Sequence, residues 1–279
     1  MPGGQSARLE TVRAGGGVFH LQYWPEDAQV AKQVKLTLGR SAAGAERWGA
    51  FSSPVLVTIH PTHEALEVAT HREGQGWMLA WSRYASVDLQ SPRTWSATDT
   101  ELEQLLTHEL THCVMYQSVA SQWTWQKRLI PLWFREGMAS VTAGQEHKRV
   151  APGAITLFYS RKAAGESARS AGDPLTEPEP LYHSDPDLVY ATADRAFHFL
   201  LERHGEERVR KLIASMGAGN GFRYAFRNAV GISLQEFEDA FRRSVAGREG
   251  MGVTARLSTP PSGARLVSDH VQGTASPRP

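Results

Sequence analysis

The chain has 279 residues, enough for one large domain or two modest ones with a real core. Hydrophobic residues make up 41% and charged residues 21%, ordinary values for a globular protein. A formal net charge of +1 gives no electrostatic case for nucleic acid or an anionic membrane, and no cluster of Lys/Arg with interleaved aromatics supplies one.

Cys113 is the single cysteine, so an internal disulfide and a cysteine-based zinc site are both excluded. The N-terminus, Met-Pro-Gly-Gly-Gln-Ser-Ala-Arg, lacks an apolar h-region, so no signal peptide is expected. The default expectation is a cytoplasmic protein, unless the chain is a trimmed mature form. No run of about 18 apolar residues exists, so no membrane span is expected.

Residues 1–16 are Gly- and Arg-rich and read as a flexible lead-in. Val18–Tyr23 alternates and reads as a strand. Pro25-Glu-Asp opens a helix whose apolar positions Val30, Ala31, Val34 and Leu38 recur at helical spacing, with Gly39 as its stop. Pro54–His60 is the clearest strand, followed by a short helix from Pro61. Trp77–Trp81 and Ala85–Gln90 read as two more strands, giving a small α/β layer with about four strands. The strand Ser86–Gln90 can be read as a sheet edge that pairs with an extended ligand, or equally as a core strand.

Asp99-Thr-Glu-Leu-Glu103 reads as a helix start, with Thr100 and Glu103 fitting a capping box. This helix should run to about Ala120 and bury Leu102, Leu106, Leu110, Cys113 and Val114. Pro131 starts another helix, and residues 144–187 read as a long loop with little periodicity. Asp187 leads a periodic helix stopped at Gly205, and a short helix follows as far as Gly217. Phe222–Ala229 and Ser233–Val245 complete a helical C-terminal half, with Ser233 and Glu236 as a second capping box. Residues 247–279 read as a disordered tail.

Chemistry concentrates in Leu105–Val114, which contains His108-Glu109-x-x-His112. Two histidines four apart share one helix face and can grip one Zn²⁺, while the adjacent carboxylate reaches a water on that metal and takes its proton. A catalytic zinc needs a third protein ligand, and Glu136, near the start of the following helix, is the best candidate. His63-Glu64-Ala-Leu-Glu67 begins alike but has Glu where the second histidine belongs, so it is set aside. His20, His60 and His71 read as structural or surface histidines, and the tryptophans at 77, 81, 123, 125 and 133 as packing residues.

Leu106–His112 together with Pro131-Leu-Trp-Phe-Arg-Glu-Gly-Met-Ala139 resembles the gluzincin metallopeptidases, and most closely the peptidase MA-like domain family. The resemblance extends more weakly from Val18 to Val245, through Ser91-Pro92, the Tyr190-Ala-x-Ala segment and the stretch from Ala225 to Leu234. It implies an α+β, zincin-like fold: a mixed α/β sheet layer packed on the HExxH helix, then a helical subdomain. The corresponding catalytic domain would span residues 17–246, divided into a sheet and metal-helix half at 17–120 and a helical half at 121–246. The implied activity is zinc-dependent hydrolysis of peptide bonds in a peptide or protein substrate, with one catalytic Zn²⁺ on His108, His112 and Glu136 and Glu109 as general base and acid. Tyr190 matches the tyrosine that stabilises the oxyanion in related gluzincins, with Tyr182 and His183 as rivals and a core aromatic position as the alternative. No Gly-Ala-Met-Glu-Asn exopeptidase motif is present, which points to an endopeptidase. Two other readings stay open: a zinc-stabilised, non-catalytic binding or scaffold module, and a metallohydrolase acting on a non-peptide amide.

Overall fold

The computed structural model describes residues 6–127, 129–145, 151, 153–165, 172–182 and 184–257, with backbone alone for 127 and 248–257. Its sheet has five strands: β1 (Arg8–Ala14), β2 (Gly17–Tyr23), β3 (Val55–His60), β4 (Ala80–Arg83) and β5 (Ser86–Gln90). Their spatial order is β1-β2-β3-β5-β4. The β2–β3 and β3–β5 pairs are parallel, and both outer pairs are antiparallel.

One face of this sheet carries the alternate residues Phe19, Leu21, Val55, Val57, Val87 and Leu89 into a core. Two helices cover that face: α1 (Ala28–Ala45) with Val34 and Leu38, and α3 (Asp99–Val119) with Leu102, Leu106, Leu110, Cys113 and Val114. The period-2 pattern of the strands thus meets the 3.6-residue pattern of the helices. Between β3 and β4 lies α2 (His63–Thr70), capped by the Thr62 hydroxyl, which accepts from the Ala65 amide at 3.2 Å.

A second core is helical. It joins the end of α3 to α4 (Leu132–Ala143), α7 (Pro186–Gly217, kinked at Gly205), α8 (Phe222–Val230) and α9 (Leu234–Leu257). Met115, Tyr116 and Val119 of α3 belong to this core, so α3 is the wall shared by both halves. Gln117 locks it in place. Its side-chain oxygen accepts from the Ser52 and Ser53 amides at 2.7 and 2.9 Å, and its Nε2 donates to the Tyr84 carbonyl at 2.9 Å.

Several sequence expectations are corrected. Residues 8–14, expected in a flexible lead-in, form β1; its side chains are mostly outside the core, so its hydrophobic signal is weak. The sheet therefore has five strands rather than four. Ser86–Gln90 is flanked by β3 and β4, so it is interior, and the edge strands are β1 and β4. The fourth strand covers Ala80–Arg83 rather than Trp77–Trp81. Gly39 does not stop α1, because Ser41, Ala42 and Ala45 continue its buried face. The capping box of α3 is Thr98 with Glu101, not Thr100 with Glu103; Glu103 instead pairs with Arg40 at 2.7 Å. The second box, Ser233 with Glu236, is present.

The segment 144–187 contains α5 (Ala154–Ala163) and α6 (Glu179–Tyr182). Its organiser is the buried Asp173 carboxylate, which accepts from the Tyr159 hydroxyl, the Leu175 amide and Lys162 at 2.9–3.1 Å, and from Arg242 at 3.3 Å. Hydrophobic periodicity does not register such a polar hub. α9 runs through residue 247 to Leu257, since no proline blocks it before Pro260; the rest of the expected tail, 258–279, lies outside the described residues.

Candidate metal centre

The two halves of the fold meet at the His108–Glu109–x–x–His112 turn of α3. Its apolar back face is held by the sheet, and its other face looks toward α4. In α4, Trp133 and Phe134 are fully buried among Phe197, Phe222, Phe226 and Phe237. These two rings root the first turn of α4 in the helical core. Glu136, on the turn that follows, is thereby aimed at α3.

The three sequence candidates converge. His112 Nε2 stands 3.2 Å from His108 Nε2, and Glu136 Oε2 stands 3.4 and 3.3 Å from the two nitrogens. Ligands of a tetrahedral ion with bonds of about 2.0–2.2 Å are spaced about 3.3–3.6 Å apart, so this triangle matches one face of such a site. Three lone pairs pointed at one another also require a cation or a proton between them. Within the protein alone, burial pushes His108 down, but contact with Glu136 and the charge of Glu109 outweigh it, and the net direction is up. Glu136 is held well below the usual carboxylate range: burial opposes this, and His112, His108 and Arg135 overcome it. A donor set of two imidazoles and an ionised carboxylate, with no thiolate, suits Zn²⁺.

Gln145 Oε1 lies 2.9 Å from His108 Nδ1. An amide oxygen only accepts, so Nδ1 carries the proton and Nε2 offers its lone pair to the site. Gly144 ends α4 in the left-handed conformation, with φ of 62°, and turns the chain back over α3. There Gln104 donates to the Gly144 carbonyl at 2.9 Å, one turn before His108 meets Gln145. His112 Nδ1 is buried and has no hydrogen-bond partner among the described residues. The His112 ring stacks on Tyr116, with centroids 5.9 Å apart and planes 12° apart. Ser140, four residues after Glu136, is buried in α4.

Glu109 is 8% exposed and near enough for its charge to act on His108, Tyr116 and Tyr190. Tyr190 and Tyr182 both border the cluster, their ring centroids 6.2 Å apart. Burial, followed by the charge of Glu136, pushes both phenols far up, so both hold their protons at neutral pH. His183, the third rival, lies outside the described residues.

Of the other histidines, His60 is buried and paired with Asp88 at 2.8 Å, and His71 ends α2 in the left-handed conformation. Cys113 is buried with its thiol 3.2 Å from the Arg83 carbonyl, away from the histidine cluster. Two neighbours of the cluster are marked weakly in the sequence or not at all: Arg135 stands inside the second motif beside Glu136, and Gln145 has no local signal.

No protein-family model matches the sequence, and no curated protein does. Among solved structures the chain is similar to the M1 zinc metallopeptidase from Deinococcus radiodurans, at 17% identity and a TM-score of 0.43, covering 88% of this chain and 53% of that one. A mutant of an M1 zinc metallopeptidase from the same organism, bound to a Tyr-Ser-Ala substrate, matches at 17% identity and a TM-score of 0.44, with 88% and 52% covered. The chain therefore spans about half the length of these neighbours. At such values the likeness leaves the activity to be argued from the site.

No helix among the described residues is long and apolar enough to cross a membrane.

Proposed function

We propose that the protein is a zinc-dependent metallopeptidase, an endopeptidase of the gluzincin kind, with residues 17–246 as its catalytic unit. The observation that supports this most is the triangle of His108 Nε2, His112 Nε2 and Glu136 Oε2, with sides of 3.2–3.4 Å, beside the Glu109 carboxylate. His108, His112 and Glu136 would hold the ion. A bound Zn²⁺ supplies Lewis acidity, lowering the pKa of water to about 7 and polarising a carbonyl.

The chain's own groups supply the rest. Glu109 takes the proton of the attacking water and delivers it to the leaving amine nitrogen. Tyr190, or Tyr182 beside it, donates its phenolic proton in a hydrogen bond to the carbonyl oxygen as negative charge develops there. Gln145 keeps His108 in the tautomer whose Nε2 faces the site. The edge strand β4 offers unpaired backbone groups to an extended peptide.

Metal analysis of the purified protein, paired with a peptide-library digest, tests this reading. About one zinc per chain and cleavage of internal peptide bonds are expected. Glu136→Ala should lose zinc, and Glu109→Gln should keep zinc and lose cleavage. Absence of stoichiometric zinc, or full turnover by the Glu109→Gln variant, would sink the assignment. A folded, zinc-loaded protein that cleaves nothing would instead favour a binding module or a non-peptide substrate.

A further inference from the structure

We propose that the cleft beside His108, His112 and Glu136 selects substrates bearing a carboxylate next to the scissile bond, held by Arg72 and Arg135. The inference rests on the hydrolase reading above and narrows its substrate class.

Arg72 leaves the end of α2 and lays its guanidinium on the ring of Trp81 in the edge strand β4, 3.4 Å from the ring centroid. Stacking uses the face of the guanidinium and leaves its N–H edge available. The Arg72 side chain makes no ion pair or hydrogen bond among the described residues. Trp81 stands four residues after Trp77, whose ring faces Tyr190, so Arg72 sits at the sheet edge that borders the candidate site. Trp77, 48% exposed, continues this border, its ring 6.1 Å from that of Tyr190.

Arg135 comes from the other side of the cleft, next to the ligand Glu136. Its Nε is 3.3 Å from Glu136 Oε1, while Glu136 Oε2 faces the two histidines. That Nε is buried and makes no hydrogen bond of good geometry. Two arginines therefore flank the cluster, one without any counter-ion and the other sharing a carboxylate already committed to the histidines. Against Glu109 and Glu136, a divalent ion leaves a surplus of about two positive charges here. A site that anchored the free amine of a substrate would need the opposite sign. A planar guanidinium presents paired donors that fit a carboxylate bidentately.

The carboxylate can be an acidic side chain or the free C-terminus of the substrate, and binding to the Glu109→Gln variant separates the two. Calorimetry would compare acetyl-Ala-Phe-Glu-Ala-amide with its Gln counterpart, and acetyl-Ala-Phe-Ala acid with its amide. The acid member of at least one pair should bind about tenfold tighter or better, and the winning pair identifies the source. Adding Arg72→Gln or Arg135→Gln should bring that ratio close to one, while Arg72→Lys should keep part of it. Circular dichroism checks that each variant is folded. Equal binding within both pairs, no binding of either acid, or a ratio that survives both arginine substitutions would overturn the proposal. Because the readout is binding, cleavage by the unmodified protein is judged separately. Cleavage without acid selectivity sinks this inference alone, and acid selectivity without cleavage sinks the hydrolase reading.

Discussion

Gly137 lies so close to Ala193 that an added Cβ would stand 2.3 Å from the Ala193 carbonyl oxygen and 2.6 Å from Cβ of Phe197. Gly137 follows the candidate ligand Glu136 on α4, and Ala193 sits about one turn beyond Tyr190 on α7. This contact sets the separation of the two helices that bring Glu136 and Tyr190 to α3. The Glu-Gly pair of the second motif is thus an aiming device: one residue points inward because the next has no side chain. Gly137→Ala should cost about 1–3 kcal/mol by overpacking, with the melting temperature falling about 2–4 °C for each. Zinc retention should fall with it, since Glu136 is displaced. A thermal melt with and without chelator checks both, and wild-type values in each would show that the helices can slide apart freely.

Gln145 is the candidate second partner of a metal ligand, 2.9 Å from His108 Nδ1. Gln145→Leu removes the acceptor and frees the imidazole to rotate or change tautomer. Partners of this kind are worth about 10–100-fold in metal affinity. The variant should therefore lose zinc to a competing chelator at correspondingly lower chelator concentration. Its melting temperature in excess chelator should match that of the parent, because Gln145 lies past the end of α4 and outside both cores. An unchanged zinc affinity would mean that His108 is oriented by packing alone.

The grouping of His108, His112 and Glu136 as a candidate site was legible because ligand chemistry demands fixed residue types: helical spacing puts the two histidines on one face of α3, and Glu136 is marked by its motif on α4. The buried stripe of α3 was legible for the same reason. What escaped lacks a periodic signature. β1 pairs through its backbone and buries little, and Asp173 organises α5 and α6 through polar contacts. Gln145 reaches His108 only because Gly144 reverses the chain, a three-dimensional event with no local pattern. Trp77 reaches Tyr190 from beside the sheet edge, a proximity that needs the strand order to be known.

Glu238 gives a pH-dependent test away from the metal centre. It is buried on α9 and accepts from Trp133 Nε1 at 3.4 Å. Burial raises its pKa, and the bond from Trp133 opposes this only in part. A carboxylate raised in the folded state destabilises the fold wherever it is ionised. Below the unfolded value of about 4.3 both states are protonated and the penalty vanishes; above the folded value it is felt in full. Glu238→Gln keeps the acceptor for Trp133 and removes the charge. The variant should melt higher than the parent at pH 7, and the two should converge as pH falls below about 4. A variant less stable at pH 7 would show that the charge is compensated by Arg242.

Cys113 should be inert in the folded protein. Its thiol is fully buried, and burial followed by the charge of Glu109 pushes its pKa far up, so almost no thiolate forms. Labelling by an aromatic disulfide reagent should be slow natively and rapid in denaturant. Fast native labelling would require the β4–β5 turn, whose Arg83 carbonyl faces the sulfur, to open.

Tyr190 and Tyr182 are the two candidates for the proposed oxyanion donor, and their settings differ. Tyr190 stands on the long helix α7, about one turn before the residue that packs against Gly137 of α4. Tyr182 ends the four-residue helix α6, and the charge of Arg135 acts on its phenol. A donor that stabilises developing charge must be fixed in advance, because reorganisation during the reaction subtracts from its effect. Tyr190→Phe should therefore lower kcat by about 10²–10³, with zinc content and KM little changed, and Tyr182→Phe should lower it far less. Burial keeps both phenols protonated, so neither variant should shift the alkaline limb of the pH–rate profile below pH 9, within reach of an ordinary tyrosine pKa of about 10. If Tyr182→Phe carries the larger loss, the shorter helix holds the donor and Tyr190 is a packing residue against Trp77.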